Sequence, residues 1–272
     1  MKALPKNDLA FIIERKHMPD DRQPILELKG LCYSVDKAVI LDGIDLAIYP
    51  HEVFVVLGMS GSGKTTMLRL LTGLIRPIAG AVYIFGQDIT AMSEDELNRL
   101  RARMGLVFQF GALFDSLDVD GNVGFRMYEH TNVKDEDIRP VIADKLRQVG
   151  MAGYEKKYPT ELSGGMQKRI GIARALVGDP EILFYDEPTS GLDPVIAATI
   201  DELIVKLRNE LGVTEIIVSH DIHSVLRMAD RMALLYEGRL RLVGTPAEFQ
   251  ASTDPVVRQF LEGKTDGPIQ VV

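Results

Sequence analysis

The sequence predicts an α/β fold: a mostly parallel sheet, a small antiparallel β layer and an inserted helical subdomain. Three observations carry this. Short apolar runs at 53–57, 105–108, 181–185 and 215–218 alternate with stretches whose apolar residues fall at helical spacing. Two alternating segments, 25–31 and 39–48, come before the first of those runs and read as antiparallel strands. From Phe110 to about Tyr158 no convincing β pattern occurs. With 46% apolar residues in 272, the chain can bury a sizeable core, as one large domain or one domain with a subdomain.

In chain order, residues 1–23 read as a polar leader, the main domain as 24–244 with the helical block at about 110–178, and 245–272 as a helical and extended interaction tail. The leader's Leu9-Ala10-Phe11-Ile12-Ile13 is too short for a signal-peptide core. No run approaches the roughly 18 apolar residues of a membrane span. After the antiparallel pair, the run 53–57 is a strand leading through a glycine loop into a helix at Lys64. Residues 81–85 form a strand closed by Gly86. Ser93 and Glu96 are spaced as a capping box, so a helix runs from Glu94 to about Arg103. Asp135, Glu136 and Asp137 suit a helix start, where acids meet the positive end of the dipole; that helix stops at Gly150. Ser163 opens a helix to Val177. Ile196, Ile200, Leu203, Leu207 and Leu211 line one face of a helix that ends at Gly212. Residues 224–229 are helical, and 231–236 pairs with 239–243 across Glu237-Gly238. Thr245-Pro246 and Asp254-Pro255 each begin a capped helix. Val257, Phe260 and Leu261 share one face of the second, and with Ile269, Val271 and Val272 are expected to pack on a second chain or a small partner.

Between strand and helix lies Gly58-Met59-Ser60-Gly61-Ser62-Gly63-Lys64-Thr65-Thr66. Its first eight residues fit G-x-x-x-x-G-K-[ST], a phosphate-binding loop. Glycines let backbone N–H groups turn inward around an anion. The helix start adds partial positive charge. These residue types suit a nucleoside triphosphate, with Lys64 on the β- and γ-phosphates and the Thr65 hydroxyl on Mg²⁺. The apolar run ending in Asp186 and Glu187 is the matching Walker B pattern. Asp186 would hold Mg²⁺ through water, and Glu187 would orient or deprotonate the attacking water. Gln109 ends the run 105–108, and His220 follows the strand ending at Ser219. Alone, either is more often structural than catalytic.

Leu162-Ser163-Gly164-Gly165-Met166-Gln167 adds a second helix start suited to anions. The ordered set of P-loop, Gln109, this LSGGM, Tyr185-Asp186-Glu187, Ser190-Gly191-Leu192-Asp193 and His220 resembles the ATP-binding cassette family over roughly 25–244. The resemblance implies a P-loop ATPase that uses ATP and Mg²⁺, with two copies facing head to tail. Each ATP would lie between one chain's P-loop and Ser163, Gly164 and Gly165 of the other. Gln109 would join Thr65 and Asp186 at the metal, and His220 would contact the γ-phosphate. Asp193 would carry cross-talk between sites. Tyr33, in a loop before Lys37, would stack on adenine. The family's usual fifth signature residue is glutamine; here it is Met166, past the Ser-Gly-Gly donors.

Members of that family serve in transport, DNA repair and translation. About a hundred residues without sustained heptads separate Lys64 from Ser163, which leaves no room for the long coiled coil of the DNA-repair type. One cassette, rather than two, argues against the translation type. The formal charge of −8 offers no basic footprint for nucleic acid. A transporter subunit is the expectation. Residues 110–117 fall where the family receives a helix of the membrane subunit. FQFGALFDSLDV and DPVVRQFLEGKTDGP resemble the ATPase of Mla-type, Mce-associated lipid transporters of Gram-negative bacteria. That implies phospholipid as cargo between inner and outer membranes, and a place on the cytoplasmic face of the inner membrane. It implies three kinds of partner: a multi-span permease, a periplasmic Mce lipid-binding protein and a small STAS-domain protein. The alternatives are another cassette system, such as a lipoprotein extractor, or a soluble regulatory ATPase. The lone cysteine, Cys32, makes no intrachain disulfide and reads as a small buried hydrophobe.

Overall fold

The computed structural model describes residues 23–109, 111–130 and 134–270. Residues 1–22 of the expected leader, together with Phe110, Val271 and Val272, lie outside the described residues. Two sheets organise the rest. The antiparallel one joins β1 (Leu26–Val35), β2 (Ala38–Ile48), β4 (Ala79–Ile84) and β5 (Gln87–Asp88) in the order β2-β1-β4-β5. The other has the order β10-β9-β3-β8-β7-β6, built from β3 (Val53–Leu57), β6 (Met104–Val107), β7 (Ile182–Asp186), β8 (Thr214–Ser219), β9 (Arg231–Tyr236) and β10 (Arg239–Gly244). All its pairings are parallel except the β9–β10 hairpin.

The central strand explains why the run 53–57 is wholly apolar. Every residue of β3 is buried. Successive side chains point to opposite faces. Val53, Val55 and Leu57 enter one core cluster, Phe54 and Val56 the other. The second cluster is shared with the antiparallel sheet, α1 (Lys64–Leu71) and α2 (Glu94–Arg101). The first gathers the remaining helices: α3 (Val119–His130), α4 (Asp135–Gln148), α5 (Gly164–Leu176), α6 (Pro194–Leu211), α7 (Ile222–Met228), α8 (Pro246–Ala251) and α9 (Pro255–Glu262).

The starts of α2 and α8 follow the expected chemistry, and α6 adds a cap that was not expected. Ser93 with Glu96 and Thr245 with Glu248 close capping boxes, and Asp193 accepts from the N–H groups of Val195 and Ile196. Helix α3 was not legible in the sequence. Gly121 and Gly124 lower its intrinsic propensity. Its anchor is instead Asn122, fully buried, whose side chain accepts from Phe114 N and donates to the carbonyls of Phe114, Leu117 and Asp118.

Two expectations are corrected here. Tyr33 lies inside β1 opposite Leu41, not in a loop; the loop is the Asp36-Lys37 turn, where both residues adopt positive φ. Among the described tail residues, three of the apolar ones turn back onto the chain's own core. Val256, Val257 and Ile269 are buried beside Phe249, while Phe260 and Leu261 are only partly covered. Ile269 is fixed by Gln259, whose side chain donates to its carbonyl at 3.0 Å and accepts from its N–H at 2.7 Å. Burying a Val or Ile side chain contributes roughly 1.5–3 kcal/mol, so truncation after Gln250 is expected to cost several kcal/mol. The check is a urea titration, and an unchanged midpoint would overturn the packing role.

Candidate active site

The carboxyl ends of parallel strands β3 and β7 bring the phosphate loop and the two carboxylates together. Gly63, the residue before α1, has φ +101°, a left-handed conformation that side chains resist. It turns the chain so that Lys64 begins the helix. A Cβ there would lie 3.0 Å from Ile40 Cγ2, which shows the β1–β2 hairpin packed against the loop. Tyr33 sits on that hairpin, partly exposed, across from the neighbouring Leu41.

The Lys64 ammonium is 6% exposed and donates to the carbonyls of Gly58 and Met59 at 2.8 Å each. Glu187 Oε1 lies 3.8 Å from it. Burial pushes the Lys64 pKa down, against the charges of Glu187 and Asp186. Thr65 Oγ1 donates to Asp186 Oδ1 at 3.2 Å. Burial holds the Asp186 carboxyl above the usual range, opposed by the Thr65 hydrogen bond and reinforced by neighbouring Glu187. Among the described residues no group of three His, Cys, Asp or Glu could hold a metal. The hydroxyl and carboxylate of Thr65 and Asp186 are hard oxygen donors that suit Mg²⁺ as a partial shell, completed by phosphate and water.

Glu187 has φ +51°, unusual for a residue with a side chain. Its N–H donates to Val218 O at 3.0 Å, and its Oε2 lies 2.7 Å from His220 Nδ1. The histidine ring is otherwise more than half exposed. Gln109 Nε2 donates to Ser190 Oγ at 3.3 Å. Thus Lys64, Thr65, Asp186, Glu187 and His220 form one connected cluster. Ser163 and Gly164 are exposed at the start of α5, joined by no hydrogen bond to the P-loop among the described residues. Gly165 is buried, and a Cβ there would meet Ile196 Cγ2 at 2.5 Å. The signature turn therefore rests directly on the first turn of α6, which Asp193 caps.

Sequence reasoning missed Lys168. It is 4% exposed, on α5, and donates to the main-chain oxygens of Gln109 and of Glu187, the latter at 3.2 Å. Burial pushes its pKa down to about 8, against the charges of Glu187 and Asp186. The signal was available: Gly165, Lys168 and Ile172 fall at i, i+3, i+7, placing a lysine on the buried face of the helix.

A glycine-lined phosphate loop facing a hydroxyl, two carboxylates and a histidine defines a nucleoside-triphosphate-hydrolysing site. Residues 41–190 match the family model described as ABC transporter, and the chain belongs to that family as an ATP-binding ATPase. The probable ribonucleotide transport ATP-binding protein mkl of Mycobacterium leprae is 43% identical over 253 residues, covering 92% of this chain and 73% of its own. The intermembrane phospholipid transport system ATP-binding protein MlaF of Haemophilus influenzae is 39% identical over 248 residues, covering 91% and 94%. A solved dimeric post-hydrolysis state of the ATP-binding cassette MJ0796, bound to ADP and Pi, matches with a TM-score of 0.73 at 30% identity, covering 81% of this chain and 98% of that one.

The contact beneath the signature turn gives a direct test. Gly165→Ala drives a methyl into Ile196 and is expected to cost about 1–3 kcal/mol by overpacking. In an Ile196→Ala background that cost should vanish, because alanine is otherwise the better helix former. Denaturant midpoints of the two single variants and the double variant measure the coupling, and additive effects would refute the contact.

Proposed function

We propose that this chain is the ATP-hydrolysing subunit of a transporter that moves phospholipid between the inner and outer membranes. The observation that carries the cargo is the nearly end-to-end match to the phospholipid-transport protein of H. influenzae. The mycobacterial relative, whose name gives ribonucleotide as cargo, is matched over less of its own length. The segments FQFGALFDSLDV and DPVVRQFLEGKTDGP support the same choice.

The proposed working unit is two copies head to tail around two ATPs, as the dimeric MJ0796 cassette supports. Lys64 would exchange the carbonyls of Gly58 and Met59 for β- and γ-phosphate oxygens, and the N–H groups from Gly58 to Thr66 would line the phosphates. Thr65, Asp186 and Gln109 would hold Mg²⁺, which neutralises charge on the β- and γ-phosphate oxygens. Glu187 would take a proton from the attacking water, with His220 fixing its second oxygen and reaching the γ-phosphate. Tyr33 would stack on adenine. Ser163, Gly164 and Gly165 would complete the site of the other copy, and Asp193 would lie where the two sites communicate.

Among the described residues no helix is long and apolar enough to cross a membrane. Membrane work therefore calls for a multi-span permease, with this chain bound peripherally on its cytoplasmic side. Exposed Phe108 and Phe114, on the loop after β6, offer it an apolar face. A periplasmic Mce lipid-binding protein and a small STAS-domain protein are the further proposed partners. The tail keeps a proposed contact role through Leu261, Glu262 and Gly263, which line a cavity of about 580 Å³ with Glu187, Ser190 and His220.

Two outcomes test this reading. Glu187→Gln should still bind ATP yet lose at least a hundredfold in turnover, about 2.7 kcal/mol of barrier, whereas Lys64→Ala should weaken binding and turnover together. Near-normal turnover in Glu187→Gln would sink the catalytic assignment. The complex recovered with a tagged chain should contain a permease and extractable phospholipid; recovery of a lipoprotein-handling permease instead would move the cargo to the alternative.

A further inference from the structure

The four residues Lys168, Gln109, Ser190 and Glu187 form a closed ring of hydrogen bonds. Lys168 donates to Gln109 O, and the Gln109 side chain donates to Ser190 Oγ at 3.3 Å. Ser190 N donates to Glu187 O at 3.2 Å, and Lys168 donates to that same oxygen at 3.2 Å. The ring spans three separate pieces of chain: the second residue after β6, the turn after β7, and α5. We propose that Lys168 is a positioning residue for hydrolysis: its ammonium locks the left-handed backbone of Glu187 and the Gln109 loop into one rigid unit with the helix that begins at Ser163.

The physical need is specific. A residue with a side chain holds positive φ only where its surroundings over-determine it. Val218 holds the Glu187 N–H from one side. The carbonyl on the other side takes two donors, and Lys168 is the one that also grips Gln109. A lysine 4% exposed is expensive to bury, and its charge is met by two carbonyl oxygens rather than used at the surface. A buried cation bound to carbonyls gives stronger hydrogen bonds than a neutral donor would. The same helix carries Ser163 and Gly164 at its exposed start, just over one turn from Lys168. A phosphate seated there by the second copy would pull on the element that sets Glu187 in its own chain. The proposal rests on Glu187 being the residue that handles water.

The test is steady-state ATPase kinetics on the full-length chain with Mg-ATP. Lys168→Met keeps the length and removes the donors. It is expected to lower kcat by roughly tenfold to a hundredfold, the scale of a small misplacement of a reacting group, with KM for ATP within about threefold of wild type. Lys168→Arg, which restores donors, should recover most of kcat. A lysine that only stabilises the fold would lower the melting temperature without this split and without rescue. Unchanged kcat in folded Lys168→Met, or equal losses in the Met and Arg variants, overturns the proposal. If Lys168→Met does not fold, Lys168→Gln keeps one neutral donor, and wild-type kcat in it overturns the proposal equally; failure of both to fold assigns the residue to stability alone and does the same. Glu187→Gln run in parallel separates the two readings: if it stays active, the role of Glu187 fails first; if it is inactive while Lys168→Met is normal, only Lys168 is wrongly assigned.

Discussion

Two nearly buried ammonium groups and two carboxylates are crowded together at the ends of β3 and β7, and the surrounding structure exists to make that tolerable. Lys64 and Lys168 are 6% and 4% exposed. Charges so placed are costly unless each polar atom is met. Lys64 is met by the carbonyls of its own loop and by Glu187, Lys168 by carbonyls of two distant segments. The apolar strands beneath supply rigidity. Ile182, Leu183, Phe184 and Tyr185 are fully buried up to the point where Asp186 emerges. That arrangement keeps the carboxylates where a triphosphate would meet them rather than letting them relax toward water.

The parallel core and most of the cluster were legible because they obey local rules. Short, mostly apolar runs that alternate with helical stretches read as strands covered on both sides. The phosphate loop declares itself by glycine spacing. Ser93, Ser163, Thr245 and Asp254 declare helix starts by side-chain chemistry, and each is found at one. What was not legible depended on distant partners. Helix α3 carries two glycines and a buried asparagine, so its stability comes from the 114–118 turn it grips rather than from its own propensity. The tail showed apolar residues near the end of the chain, but their local pattern could not say that Phe249 and the main core were waiting for them. The spacing marks Lys168 as buried, but not what it bonds: its two acceptors lie 59 and 19 residues away.

The hairpin of β1 and β2 links the two layers in a way neither layer's pattern announces. Asp42 N donates to Gly238 O, and Arg239 binds the Asp42 carboxylate at 2.6 Å, so the antiparallel sheet is pinned to the far edge of the parallel one. Ile40 then touches the phosphate loop itself. The hairpin that carries Tyr33 and the phosphate loop are thereby set at a fixed spacing. The pinning ion pair is exposed and contributes little by itself; the backbone hydrogen bond and the buried Leu41 beside it carry the register.

The backbone of Glu187 has a consequence for how this protein can change over time. A left-handed residue with a side chain costs on the order of 1–3 kcal/mol relative to a relaxed one, and glycine would remove that cost. Position 187 is therefore a site where drift toward greater stability and retention of the carboxylate pull in opposite directions. Glycine at this position would relax the backbone but leave the buried Lys64 without its nearest carboxylate. Copies of such a fold that persist as binding modules rather than engines would carry their history at this position.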